Sequence, residues 1–111
     1  MGVFEELTAY LRPLSRFALE SDSEEAAKDV QVLGKHRIKA EIGGLDKGGG
    51  KIKLRGFLGG RLWQDLHVFD KDGVYVLNDI LHEERLLWKS FSFVLEGNKT
   101  GNPVFVYVVG A

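Results

Sequence analysis

Gly34-Lys35-His36-Arg37-Ile38-Lys39-Ala40-Glu41-Ile42 is the stretch in which the hydrophobic period of this chain changes. From His36 onward polar and apolar residues alternate, which puts Ile38, Ala40 and Ile42 on one side of an extended backbone and Arg37, Lys39 and Glu41 on the other. Lys51-Ile52-Lys53-Leu54-Arg55 repeats the alternation, with Ile52 and Leu54 inward. The intervening Gly43 to Gly50 is too glycine-rich for either regular element, so the two segments read as a hairpin with a mobile tip.

On the N-terminal side of Gly34 the period is helical. Val3, Phe4, Leu7, Leu11, Leu14, Phe17 and Ala18 recur at three- and four-residue steps and predict a helix over 3–19, kinked or broken at Pro13. Ser21-Asp22-Ser23-Glu24 has the form of a capping box, and Ala26, Ala27, Val30 and Leu33 supply the apolar stripe of a second helix that Gly34 ends.

On the C-terminal side strand character continues. Leu62 to Phe69 is a third strand, Asp70-Lys71-Asp72-Gly73 a tight turn, and Val74 to Leu77 a fourth strand returning beside the third. Asn78-Asp79 can cap a short helix running to about Leu87. Trp88 to Leu95 and Val104 to Val109 complete the set; the last is apolar on both faces and belongs in the middle of a sheet or against a partner subunit. The expectation is one α+β domain over 1–111, its N-terminal helices packed on an antiparallel sheet of about five or six strands, roll-like or partly closed. Cystatin-like and nuclear-transport-factor-like rolls share that order of elements, a likeness of fold without a function attached.

Composition narrows the chemistry. The chain has 111 residues, 44% of them hydrophobic, with 15 basic and 16 acidic side chains and a net charge of -1. No global field draws it to nucleic acid or membrane. It has no cysteine and three histidines, which excludes thiol catalysis, disulfides and cysteine-ligated zinc, and leaves no metal site or cofactor to expect. Met1 to Glu6 lacks the positive charge of a secretory signal, and the longest pure apolar run, Val104 to Val109, is far short of a membrane span, so a cytoplasmic location is expected.

Charge is nonetheless segregated. Residues 35–61 hold eight Lys and Arg against two acids, a net of +6, while 1–34 and 62–111 carry -4 and -3. If the two alternating strands form a hairpin, Arg37, Lys39, Lys51, Lys53 and Arg55 make one cationic ribbon able to engage an acidic protein or another polyanion. Nucleic acid is weakly supported, because Phe57 alone stands near the ribbon to stack on a base.

The other motifs are incomplete. Gly43-Gly44 to Lys51 lacks the spacing of a phosphate loop, His82-Glu83-Glu84 has Leu86 where a zinc-protease helix needs histidine, and Asp70 to Gly73 lacks a calcium loop's glutamate. Alternation places Trp63, Asp65, His67 and Phe69 on one strand face, which makes Asp65 and His67 weak candidates for an acid-base pair, with Trp63, Tyr75 and Trp88 as walls of a pocket. With no complete catalytic set, the first expectation is a non-enzymatic binding protein that engages an acidic partner, or itself as a homo-oligomer, through the basic segment. The alternative is a roll whose internal pocket binds or transforms a small molecule at Asp65 and His67.

Overall fold

The computed structural model describes residues 11–111, and within them the regular structure is mostly strand. In chain order the strands are β1 (Arg12–Leu19), β2 (Ala27–Gln31), β3 (Ile38–Gly43), β4 (Lys51–Phe57), β5 (Trp63–Phe69), β6 (Gly73–Val76), β7 (Ser90–Glu96) and β8 (Val104–Gly110). Two short helices, α1 (Leu45–Gly48) and α2 (Leu77–Leu81), sit in connections.

All pairings are antiparallel, and the strands form two sheets ordered β1-β8-β3-β6 and β2-β7-β4-β5. Successive strands mostly alternate between the sheets, which is the double Greek-key wiring of a jelly roll. Side chains from the two inner faces interdigitate. Ala40, Ile42, Val104, Val106 and Val108 of the first sheet meet Ile52, Leu54, Phe91, Phe93 and Leu95 of the second, all of them buried. Phe17 and Phe93 touch across the sandwich with ring centroids 5.9 Å apart. Each such side chain contributes on the order of 1.5–3 kcal/mol by leaving water, and together they hold the layers together.

The α+β expectation is therefore corrected: this is a two-sheet β-sandwich, without N-terminal helices on the sheet among the described residues. Residues 11–19, expected at the end of a helix, run from Leu11 into β1 along one side of β8; the part of that helix over 3–10 lies outside the described residues. Tertiary pairing outweighs the local period here, because β8 is apolar on both faces and has backbone groups to satisfy along both edges. Pro13 fits an edge strand beside a register shift, where its missing N–H costs no ladder bond. The second expected helix shrinks to one turn over Glu24–Ala26: Ser23 does cap it, its hydroxyl accepting from the Glu25 N–H at 3.1 Å, but the chain then extends into β2. Val30 and Val32 turn inward in β2 and just beyond it, and Leu33 is left exposed.

Neither expected hairpin exists. β3 and β4 belong to different sheets, as do β5 and β6. The glycine-rich connection between β3 and β4 is likewise a pinned crossover rather than a mobile tip. Asp72 accepts from the backbone N–H groups of Gly44, Leu45 and Asp46, capping α1 from another loop. Asn98 donates to Gly49 O at 2.6 Å and Asn102 to Gly44 O at 2.9 Å. Gly50, at φ +81°, is required: a Cβ there would stand 2.6 Å from the Asn98 backbone nitrogen. The short helix begins at Leu77, so Asn78 and Asp79 lie within it rather than capping it, and it ends at His82, in the left-handed conformation at φ +56°, rather than near Leu87. Buried Asn78 accepts from the Ile38 N–H and donates to His36 O and Glu84 O, which moors α2 to the start of β3.

Candidate functional site

The basic residues of the central segment are divided by the topology. Lys51, Lys53 and Arg55 alternate with buried Ile52 and Leu54 along β4 and lie on the outer face of the β2-β7-β4-β5 sheet. Lys39 sits across from Val109 and Val76 on the other sheet, and Arg37 precedes β3 beside a solvent-open hollow of about 360 Å³ with Asn78, Asp79, His82 and Glu83. The five cations therefore do not form one ribbon. The three on β4 are also matched by carboxylates: Arg55 Nε donates to Asp65 Oδ1 at 3.1 Å, Lys53 Nζ lies 3.9 Å from Asp65 and 3.6 Å from Glu96, and Lys51 Nζ lies 3.8 Å from Glu96.

A bulge separates Asp65 from His67. Arg55 pairs with Asp65 and Leu54 with His67, so Leu66 is an extra residue in β5 and the alternation slips there. Asp65 and Trp63 accordingly share the outer face with Arg55 and Phe57, the Trp63 and Phe57 rings stacking with centroids 4.9 Å apart. His67 falls on the side of buried Leu54 and meets the edge of Phe69 at 4.8 Å. The carboxylate of Asp65 thus holds the Arg55 guanidinium rather than an imidazole tautomer.

The three aromatic residues expected to wall a pocket are in three places. Trp63 is on the outer face. Trp88 is buried, its ring over Gly56 and beside Phe91, with Nε1 donating to Glu83 at 3.1 Å. Tyr75 packs on Phe69 with centroids 4.7 Å apart and donates its hydroxyl to Lys71 O. Burial, and secondarily the carboxylates of Asp70, Asp46 and Asp72, raise the Tyr75 pKa above 10.0.

The outer face of the β1-β8-β3-β6 sheet carries the second apolar row of the last strand, which the sequence places mid-sheet or against a partner subunit. β8 is its second strand, paired on both edges as its composition requires, with Val104, Val106 and Val108 inward. Its alternate residues Phe105, Tyr107 and Val109 face outward; Val74 and Val76 of β6 share the face on the far side of Lys39, Glu41 and Gly43 of β3. Phe105 is 58% exposed and Val74 64% exposed. Register lines up Arg16, Tyr107, Glu41 and Val74 across the four strands. The Arg16 guanidinium lies 4.4 Å from the centre of the Tyr107 ring. Gly43 opposite Phe105 leaves a groove of about 230 Å³ bounded by Arg16, Glu41, Phe105 and Tyr107. The signal was present in Val104 to Val109, whose second apolar face has to be covered or stand in water.

No family model and no curated protein matches the chain. Among solved structures it is similar to a protein assigned as an alpha-L-fucosidase of Bacteroides thetaiotaomicron, with TM-score 0.55 and 6% identity over 90% of this chain. It spans 22% of that protein's length. It is also similar to the NLP core of Drosophila, a structure described for pentamer formation and histone binding, with TM-score 0.49 and 8% identity over 90% of this chain and 99% of that one. A third likeness is to hydroxypropylphosphonic acid epoxidase of S. wedmorenis, with TM-score 0.46 and 10% identity over 91% of this chain and 43% of that one. The first of these likenesses supports the sandwich fold and nothing finer. Among the described residues, no helix is long and apolar enough to cross a membrane.

Proposed function

We propose that this chain is a non-catalytic interaction module that docks a protein partner on the outer face of its β1-β8-β3-β6 sheet. The observation that carries the reading is the apolar outer row of β8, Phe105, Tyr107 and Val109, on a strand whose inner row already fills the core, with Val74 and Val76 of β6 on the same face beyond Lys39, Glu41 and Gly43 of β3. Apolar side chains grouped on an open sheet are a standing liability in a lone molecule and the usual centre of a protein interface. An acidic partner held by Lys51, Lys53 and Arg55 is less favoured, because Asp65 and Glu96 already balance those charges.

Site-specific photo-crosslinking tests the proposal. A photoreactive phenylalanine analogue at Phe105 is expected to give a discrete protein adduct, and the same analogue at Val68, exposed on the opposite sheet, is expected to give none. Adducts of equal yield at both positions, or none at Phe105, would overturn it.

A further inference from the structure

The docking face carries its own complement. Resting on the reading just given, we infer that the partner is a second copy of this chain, stacked face to face about a twofold axis that runs along β8. Two sheets that meet through the same face are related by a twofold lying in the plane between them. An axis along β8 and one across the strands at the row of Tyr107 place the charges of that row differently.

With the axis along β8, the flanking strands exchange, so β1 of one copy lies over β3 of the other. Arg16 then stands over Glu41 of the second copy, and Glu41 over its Arg16, giving two opposite-charge pairs on either side of apposed Tyr107 rings. Small residues also face each other, Ala18 of β1 over Gly43 of β3, which lets the sheets approach where Phe105 projects. With the axis across the strands, the row of Tyr107 lies over itself, setting Arg16 against Arg16 and Glu41 against Glu41. Like charges at an apolar interface are costly, so the face selects the first arrangement. The charged groups are placed for it: Arg16 is exposed and lies over the Tyr107 ring, and Glu41 is exposed and forms no ion pair among the described residues.

About this axis β1, β8 and β3 lie over β3, β8 and β1 of the second copy while β6 overhangs, so three strands offer roughly 300 Å² of flat face per copy from strand spacing and rise. That is well below the usual ~800 Å² per partner, which places the contact among weak, transient interfaces, to be sought between ~10 μM and ~1 mM.

Sedimentation velocity across that concentration range, with Arg16→Glu and Glu41→Arg, tests the inference. Both residues are exposed, and unchanged melting curves would show that the variants fold. Each variant alone opposes like charges twice and should weaken association at least about tenfold. Mixing the two restores both opposite-charge pairs and should return the wild-type affinity as a heterodimer. A wild-type chain that stays monomeric up to ~1 mM would overturn the second copy. So would a mixture that fails to associate more tightly than either variant alone. A crosslink from Phe105 to residues 1–10 of its own chain, or to a different protein, would also overturn it. The docking reading is decided separately by the comparison of Phe105 with Val68: an adduct with a different protein leaves that reading standing.

Discussion

Asp46 and Asp72 hold each other's backbones. The Asp72 carboxylate accepts from the Asp46 N–H at 3.1 Å, and the Asp46 carboxylate accepts from the Asp72 N–H at 3.1 Å. The exchange ties the crossover between β3 and β4 to the turn between β5 and β6, so two loops that join the two sheets are fastened at one end of the sandwich. Two turns that look independent along the chain become one structure.

Replacing Asp72 with Ala removes the acceptor for three helix-end N–H groups, Gly44, Leu45 and Asp46, and should cost about 1–2 kcal/mol of stability. Urea denaturation measures it. An unchanged midpoint would show that water replaces the carboxylate without loss.

Gly34 and Gly50 both have positive φ, at +83° and +81°, but differ in surroundings. A Cβ meets nothing within 4 Å at Gly34, whereas at Gly50 it would run into the backbone of Glu96, Gly97 and Asn98. Gly34→Ala should cost about 1 kcal/mol, the conformational term alone. Gly50→Ala should cost at least about 2 kcal/mol, because the β7–β8 connection has to move. Equal losses in thermal denaturation would refute the steric part.

Isolated exposed charges contribute little to stability, but the three cations of β4 each have a carboxylate neighbour. Lys51→Glu, Lys53→Glu and Arg55→Glu together would set three new carboxylates beside Asp65 and Glu96. The triple variant should be less stable than wild type at low ionic strength and recover as salt is added. Stability independent of salt would show that these pairs contribute nothing.

Tyr75 supplies a test in alkali. Its pKa is raised by burial and then by Asp70, Asp46 and Asp72, so the folded state holds this proton more tightly than the unfolded chain does. The associated stability is fully present below the unfolded tyrosine pKa of ~10 and is lost as pH rises through the higher folded value. Tyr75→Phe should flatten that part of the stability profile above pH ~10. An identical alkaline decline in both proteins would assign the loss elsewhere.

Deleting residues 104–111 removes β8, which pairs with both β1 and β3, and should abolish cooperative folding. Circular dichroism with a thermal melt decides it. A truncated chain that still melts in a single sharp transition would show that β1 and β3 can close on each other.

Strand positions were legible where alternation is strict or an apolar run is unbroken, and not in β1 or β2, whose spacing also fits a helix. β3, β4 and β8 announce themselves by alternation or by an unbroken apolar run, and the place of β8 between two neighbours followed from having no polar face. β1 was not legible. Leu11, Leu14 and Phe17 satisfy a helical period as well as a strand bent by a register shift, and local spacing does not record that an unpaired edge of β8 is waiting. The bulge at Leu66 is similarly silent: strict alternation put Asp65 beside His67, and one extra residue carries them to different faces.

Residue chemistry by itself determined which side chains must leave water, where glycine permits a sharp path, and that one segment is rich in cations. Only the tertiary structure decided which strands share a sheet. It thereby separated Lys39 from Lys51, gave Lys53 and Arg55 the carboxylates of β5 and β7, and left Phe105 and Tyr107 on an open face. The physical reason is range: alternation and turn preference act over a few neighbouring residues, whereas sheet order depends on which backbone edges find partners across the whole chain.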